Sequence, residues 1–321
     1  MTTVQWGIIG CGDVTEVKSG PGFQKARGSS LLAVTRRDRS RAEDYARRHS
    51  VPRVHATADD LIHDPDIDAV YIATHPDSHC ELACRVADAR KPCLVEKPMA
   101  TSYAECVRML EAFERAKTPL WVAYYRRALP RFVMMRDLLE SGSMGRITSV
   151  QVDVREPLAT GSAAAGWRFN RALAGGGLFF DKGSHCVDLL DFLVGPVEVA
   201  CGVAVNTGGG YEVEDVTAAT FCMPGNVTGA GLWNFNAGVS ADTFVITTTL
   251  GEIRTSVFLD ADLVITREGR VQVEQARNPP HVHQPLIQTI VDELAGLGRC
   301  PSTGASGARA SRVLEMCQAI R

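Results

Sequence analysis

The sequence predicts an α/β protein. A doubly wound parallel sheet of Rossmann type comes first, and an α+β domain with an open, mostly antiparallel sheet comes second. Three observations predict this. Short apolar runs alternate with helix patterns up to about Ala123, and a Gly10-Cys11-Gly12 turn directly follows the first run. After about Tyr124 the chain turns to successive strand patterns separated by Gly, Asn and Asp. Alternating strands and helices imply a parallel sheet covered on both faces, whereas strands joined by turns imply an antiparallel one. A chain of 321 residues exceeds one simple core, so the boundary is placed between a dinucleotide-binding domain, 1–123, and a substrate-binding domain, 124–321.

In the first domain the apolar runs 4–10, 31–35, 69–74, 92–96 and 119–123 are read as strands, and 39–49, 78–89 and 102–116 as helices. In the second, helix patterns at 130–141 and 184–193 precede strand patterns at 198–206, 216–223, 227–235, 243–250, 252–258 and 263–267. Helical segments at 284–297 and 305–320 end the chain.

Composition narrows the function. The chain is 45% hydrophobic and 22% charged with a net charge of −3, an ordinary globular balance with no basic field for nucleic acid or anionic lipid. No apolar run approaches the roughly 18 residues of a membrane span, and the N-terminus has no basic region ahead of an apolar core. The ten cysteines form no CxxC pair; Cys80, Cys84 and Cys106 fall in helix patterns and Cys93, Cys201 and Cys222 in strand patterns, which predicts reduced thiols and a cytoplasmic protein.

Gly10-Cys11-Gly12-Asp13-Val14-Thr15 follows the first strand as GxGxxG does, with Thr15 at the third glycine position. The first two glycines allow a tight turn and close approach of backbone to a pyrophosphate. At the end of the second strand, where NAD-preferring folds often carry an acid, stands Thr35-Arg36-Arg37-Asp38. A guanidinium can bind a 2′-phosphate in two-pronged fashion, so NADP is preferred to NAD, with Asp38 keeping NAD possible.

Glu96-Lys97-Pro98 follows strand 92–96, at the sheet edge where ligands bind, so Lys97 should point to the nicotinamide. Further on lies Gly175-Gly176-Gly177, then Asp181, Gly183, His185 and Asp188. With the glycine loop, Ala73-Thr74-His75-Pro76-Asp77-Ser78-His79, Glu96-Lys97-Pro98 and Tyr125-Arg126-Arg127, these motifs make the chain resemble the glucose–fructose oxidoreductase / inositol dehydrogenase / MocA family nearly end to end. The resemblance implies NAD(P)-dependent oxidoreduction of a sugar or cyclitol. Lys97, Asp181 and His185 match the family's catalytic positions. Dihydrodiol dehydrogenases of the family are similar in carrying Arg near the second-strand end.

Alcohol oxidation needs a base for the hydroxyl proton and a cation near the developing alkoxide; His185 suits the first and Lys97 the second. Asp181 would orient His185 or hold a substrate hydroxyl. A helix starting near Ser184 would direct its N-terminal dipole at His185 and disfavour the imidazolium. The expected cofactor contacts are Gly10, Gly12, Asp13, Val14, Arg36, Arg37, Thr74, His79, Glu96 and Lys97. The expected pocket for a small polyhydroxylated substrate adds Tyr125, Arg126, Arg127, Trp167 and Arg168 to Lys97, Asp181 and His185. His281 and His283 precede a helix without a third metal ligand, and no metal is assigned. Two other functions compete, a trans-dihydrodiol dehydrogenase and a non-catalytic dinucleotide sensor. The open sheet face predicts a homodimer or homotetramer.

Overall fold

The computed structural model describes residues 3–158 and 166–318. The chain forms two compact units, Met1–Leu129 with Pro279–Ala308, and Pro130–Asn278 with Arg309–Arg321.

The first unit holds six strands: β1 (Val4–Ile9), β2 (Ser29–Thr35), β3 (Arg53–Val54), β4 (Ala69–Ile72), β5 (Cys93–Val95) and β6 (Leu120–Val122). They pair in the order β3-β2-β1-β4-β5-β6, parallel throughout. Between them run α1 (Asp13–Val17), α2 (Gly20–Lys25), α3 (Arg39–Arg48), α4 (Ala58–Ile62), α5 (His79–Asp88) and α6 (Tyr103–Ala116). β4 is buried at every position, as a strand covered on both faces must be. The direction of winding reverses between β1 and β4, which makes the carboxyl ends of those strands the ligand-binding edge. The two-residue β3 and the short helices α1, α2 and α4 add to what the sequence pattern predicts.

The second unit opens with α7 (Pro130–Glu140) and β7 (Ile147–Arg155). α8 (Arg171–Ala174), a π-helical turn at Phe179–Gly183 and α9 (Ser184–Leu193) come next. Seven more strands complete its sheet: β8 (Val199–Val205), β9 (Val216–Met223), β10 (Val227–Asn234), β11 (Ala241–Thr248), β12 (Gly251–Thr255), β13 (Leu263–Arg267) and β14 (Arg270–Glu274). Their order is β14-β13-β12-β11-β7-β10-β9-β8; β7 and β10 are parallel and all other pairs antiparallel. One sheet face is packed: Phe179 meets the fully buried Trp233 of β10 edge-on, ring centroids 4.8 Å apart. The other face leaves Val199, Val203, Leu232, Val271 and Val273 exposed.

β7 and β14 are not among the strands expected from the sequence. The signal for β7 is the alternation of Val150, Val152 and Val154, each buried. β14 is half of a hairpin turned at Glu268-Gly269, both with positive φ, 52° and 76°.

The last two helices are α10 (Gln284–Leu294) and α11 (Gly304–Met316). The sequence pattern places everything after residue 123 in one domain, whereas 279–308 belongs to the first unit. Gln288 Oε1 accepts the Arg27 N–H at 2.8 Å, the Trp121 indole donates to Glu293 at 3.2 Å, and the Ser302 hydroxyl donates to the Val122 carbonyl at 2.6 Å. Thr303 also bridges to Trp121, so the edge strand β6 is covered. Such contacts across 180 residues leave no local trace in sequence.

Candidate active site

Gly10 has φ +90°, and a Cβ there would lie 2.6 Å from Thr74 Cγ2 and 3.0 Å from the Thr74 nitrogen. Glycine is required for both reasons. Gly12 is extended, and a Cβ on it would meet only the Gly10 carbonyl oxygen, at 3.8 Å. Open space above Gly12, with the amides of Asp13 and Val14 beginning α1, is what a pyrophosphate needs. Thr15 is fully buried; its hydroxyl donates to the Gly12 carbonyl at 2.7 Å, and its own carbonyl accepts from Tyr45 at 3.0 Å. The third glycine position thus holds a threonine that ties the loop together. Cys11, inside the loop, is buried, and burial raises its thiol pKa to about 11, so it stays a neutral spacer.

Arg36, at the end of β2, lies beside this loop and donates to the Cys11 carbonyl at 2.9 Å. Arg37 is exposed. Asp38 caps α3: its Oδ1 accepts from the Arg41 amide at 3.2 Å and the Ser40 hydroxyl at 2.7 Å, and those bonds, Ser40's first, hold its pKa below the usual carboxylate range. This carboxylate is engaged within its own helix start.

At the ends of β4 and β5 the structure brings together Thr74, His79, Glu96 and Lys97. The Thr74 hydroxyl accepts from Ser78 at 2.7 Å. His79 is fully buried, with its ring nitrogens 3.1 Å from the Pro98 and Thr74 carbonyls. It ties the two strand ends, with both ring nitrogens turned to backbone carbonyls. Glu96 also turns inward and is 7% exposed. Its Oε1 accepts from Tyr71 at 2.5 Å and its Oε2 from the Lys97 amide at 3.0 Å. Burial raises the Glu96 pKa, opposed first by the Lys97 charge. Lys97 itself is half-buried. Tyr71 carries no functional signal in the sequence, because an aromatic in an apolar strand reads as core.

Tyr125 stacks on His283, centroids 4.4 Å apart, and the Arg126 guanidinium lies over the Tyr125 ring, 4.8 Å from its centroid. Arg127 is 4% exposed and donates to the Pro301 carbonyl at 3.0 Å, a tie for the returning segment. The rings of His281 and His283 diverge. His281 Nδ1 lies 2.8 Å from the Val17 carbonyl, while His283 faces Glu96.

In the second unit Arg168 donates to Asp181 at 2.7 Å and lies over the Trp167 ring, 4.5 Å from its centroid. Asp181 and His185 are 7% and 5% exposed and stand four apart on one helical run. That run corrects the expected helix dipole. α9 begins at Ser184, but the π turn from Phe179 runs directly into it with Gly183 in helical geometry, φ −58° and ψ −30°, so Ser184 is not a free helix end. The amides around His185 are inside the run, so no free helix end faces the imidazole. Phe258, which carries no mark of function in the sequence, meets the His185 ring edge-on at 6.2 Å. Asp242 fixes it there by accepting the amides of Val257, Phe258 and Leu259 at 2.8, 2.7 and 3.0 Å. Asp188 is buried, and Asp191 pairs with Arg309 at 2.6 Å.

Residues 4–124 match the oxidoreductase family GFO/IDH/MocA, NAD-binding Rossmann fold, and residues 132–254 match the GFO/IDH/MocA C-terminal domain. Oxidoreductase P35 of Formosa agariphila is 33% identical over 317 residues, 98% of this chain and 98% of its own. Trans-1,2-dihydrobenzene-1,2-diol dehydrogenase of Bos taurus is 28% identical over 239 residues, 74% of this chain and 70% of its own. Among solved structures, a levoglucosan dehydrogenase in complex with NADH has the same fold, with a TM-score of 0.87 at 22% identity, covering 98% of this chain and 95% of that one.

Proposed function

Because the chain belongs to the GFO/IDH/MocA oxidoreductase family, we propose that it moves hydride between NADP(H) and a CH–OH carbon of a sugar, cyclitol or related polyol. The chain is an NAD(P)-dependent dehydrogenase. One observation carries the reading: the carboxyl ends of β1, β2, β4 and β5 bring Gly10 and Gly12, Arg36, Thr74 and Lys97 to a single edge of the parallel sheet. Arg36 beside the glycine loop, with the Asp38 carboxylate engaged as a helix cap, supports a 2′-phosphate over free ribose hydroxyls.

The nicotinamide, when bound, accepts or returns the hydride. The chain's residues supply everything else. Gly10, Gly12, Asp13 and Val14 would hold the pyrophosphate by backbone, and Arg36 with Arg37 would hold the 2′-phosphate. Lys97 places positive charge at the reacting oxygen, and His185 takes the hydroxyl proton. Asp181, braced by Arg168, accepts from a substrate hydroxyl, and Trp167 offers a flat face to a ring. Similarity to inositol 2-dehydrogenase 2 of Saccharopolyspora erythraea, 32% identical over 60% of this chain, supports the substrate class. A second reading, dihydrodiol oxidation, draws on Phe258, which puts an apolar wall at His185.

The exposed valines of β8 and β14 support assembly of two or four copies through the open sheet face. All ten cysteines are thiols, which fits a reducing compartment, and no helix among the described residues is long and apolar enough to cross a membrane.

The test is a screen that follows reduction of NADP+ and NAD+ by sugars, inositols and a dihydrodiol, on the wild type and Arg36→Ala. A charge-assisted bond is worth about 1.5–3 kcal/mol, so the variant should bind NADPH roughly 10- to 150-fold more weakly and NADH unchanged. A wild type that prefers NADH, or equal losses for both cofactors, refutes the cofactor assignment; turnover on the dihydrodiol alone favours the second reading.

A further inference from the structure

The 206–215 loop joins β8 to β9 and has no part in the chemistry above, yet it is held in one shape and set against one stretch of chain. Asp215 is buried and accepts the amides of Thr207 and Gly208 at 2.8 and 2.7 Å and the Tyr211 hydroxyl at 2.7 Å. The loop so fixed meets 169–177 at three points. The Tyr211 ring lies against Phe169, centroids 4.6 Å apart, and Glu212 Oε1 accepts the Arg171 amide at 3.0 Å. Glu214 makes the third contact, from a site where it is 5% exposed.

Glu214 joins two segments. Its Oε1 accepts the Gly177 amide at 2.6 Å and the Gln318 side-chain amide, and its Oε2 pairs with the Arg171 guanidinium at 3.1 Å. The fit at Gly177 excludes any side chain, because a Cβ there would lie 2.0 Å from the Glu214 carbonyl oxygen. Each segment leads to one half of the Arg168–Asp181 pair. The Gly177 carbonyl accepts the amides of Phe180 and Asp181 at 3.0 and 3.3 Å, and so sets where the π turn begins. Arg171 opens α8, directly after the Trp167–Phe169 turn that carries Arg168. An acceptor left unpaired at this depth is costly, which favours the arrangement that satisfies both segments at once. Arg168 can cover the Trp167 ring and still reach Asp181 at 2.7 Å only while the two stretches keep their spacing.

We propose that Glu214 is the positioning residue for the wall formed by Trp167, Arg168 and Asp181: one buried carboxyl spans α8 and the glycine segment and sets the distance at which the Arg168 guanidinium meets Asp181. The proposal rests on the reading of that wall as the face that receives substrate.

The experiment needs no substrate. Of the four tryptophans, Trp6, Trp121 and Trp233 are 0–1% exposed and Trp167 is half-buried, so acrylamide quenching of the full chain's fluorescence reads Trp167. Trp167→Phe fixes the share of the signal that is its own, and Arg168→Ala gives the value with the guanidinium gone from the ring. Glu214→Gln should raise the Stern–Volmer constant of the folded protein from the wild-type value toward that of Arg168→Ala. Arg171→Gln, on the half-buried partner, should do the same, and it tests the pair even if Glu214→Gln fails to fold. Arg171→Lys, which keeps the charge, should stay near the wild type. In the double variant Glu214→Gln/Arg171→Gln the arginine change should add less than it does alone, because both changes break one contact. Lower melting temperatures with wild-type quenching in both single variants would leave Glu214 a stabilising contact with no hold on the wall, and overturn the proposal. Full additivity in the double variant would overturn it as well. Turnover of Asp181→Asn on the alcohol that reduces NADP+ fastest in the screen separates the underlying reading: near-normal turnover removes the wall from substrate binding while the quenching result stands by itself.

Discussion

Replacing Gly12 by alanine should cost dinucleotide affinity without loss of stability, while the same change two residues earlier should cost stability. At Gly12 the backbone is extended, φ −141° and ψ −156°, which alanine adopts without strain, and the new methyl meets nothing closer than 3.8 Å. Reduced freedom of the unfolded chain should then raise stability by about 0.4–1 kcal/mol. The methyl fills the space that the pyrophosphate must enter. Forced overpacking costs about 1–3 kcal/mol, or roughly 5- to 150-fold in affinity. At Gly10 the left-handed backbone adds about 1–2 kcal/mol of strain to a similar clash with Thr74, 2.6 Å from the added carbon. The sum, roughly 2–5 kcal/mol, should lower the melting temperature by roughly 4 to 20 °C. Thermal unfolding and NADPH fluorescence titration of both variants check this. A Gly12→Ala protein that binds NADPH like the wild type, or that melts as early as Gly10→Ala, refutes the assignment of this loop.

Three further outcomes are expected. Asp38→Ala removes the cap of α3 and should lower the melting temperature with no change in the NADPH-to-NADH affinity ratio; a ratio shifted toward NADPH would mean that Asp38 touches ribose. His185→Asn should slow oxidation about 10²- to 10⁴-fold and flatten the acid limb of its pH–rate profile, with circular dichroism and NADPH binding unchanged; a retained limb at near-full rate removes the base role. Glu16 is held at a pKa of about 2, against 4.5 ordinarily, chiefly by its hydrogen bond to Arg48, with His49 adding to it. Its pKa is depressed on folding, so its contribution is present in full above about pH 4.5 and disappears as pH falls toward 2. Urea midpoints of Glu16→Gln should therefore lie below wild type at pH 7, with the gap closing steadily as pH falls below 4.5; parallel curves would show that the Glu16 bonds do not survive in solution.

The sequence was most informative where the physics is local. A strand, a Gly-x-Gly turn and a short helix occupy fourteen consecutive residues, so the loop is legible from its own pattern. So are Lys97 beside its strand end and the apolar face of α9, where Val187, Leu189 and Leu190 are buried as the periodicity requires. Roles that depend on distant partners were out of reach. His79 looks like a polar residue at a ligand edge, yet both ring nitrogens face carbonyls, one of them 19 residues away. Arg127 looks like a substrate hand, yet its partner Pro301 lies 174 residues along the chain. Phe258 reads as a strand end, and only the Asp242 carboxylate explains why it stays against His185. The helix-dipole expectation for His185 failed for a subtler reason. Glycines at 175–177 suggest a helix start, and nothing local reveals that a π turn at Phe179–Gly183 runs unbroken into α9.

The return of 279–308 to the first unit bears on how this protein is made. The first 129 residues emerge from the ribosome with all six parallel strands but without α10 and the 301–303 segment that covers β6. About 150 further residues, holding the whole second sheet, must be synthesised before that cover exists. Until then Trp121 lacks its Glu293 partner and the Val122 carbonyl its Ser302 donor, at the edge of a parallel sheet. Nascent chains stalled short of residue 279 should therefore be sticky and protease-sensitive at β6 and become protected only once 279–308 has emerged. In this fold the synthesis of 279–308, and not that of the first 129 residues, is the moment at which the dinucleotide-binding half can close.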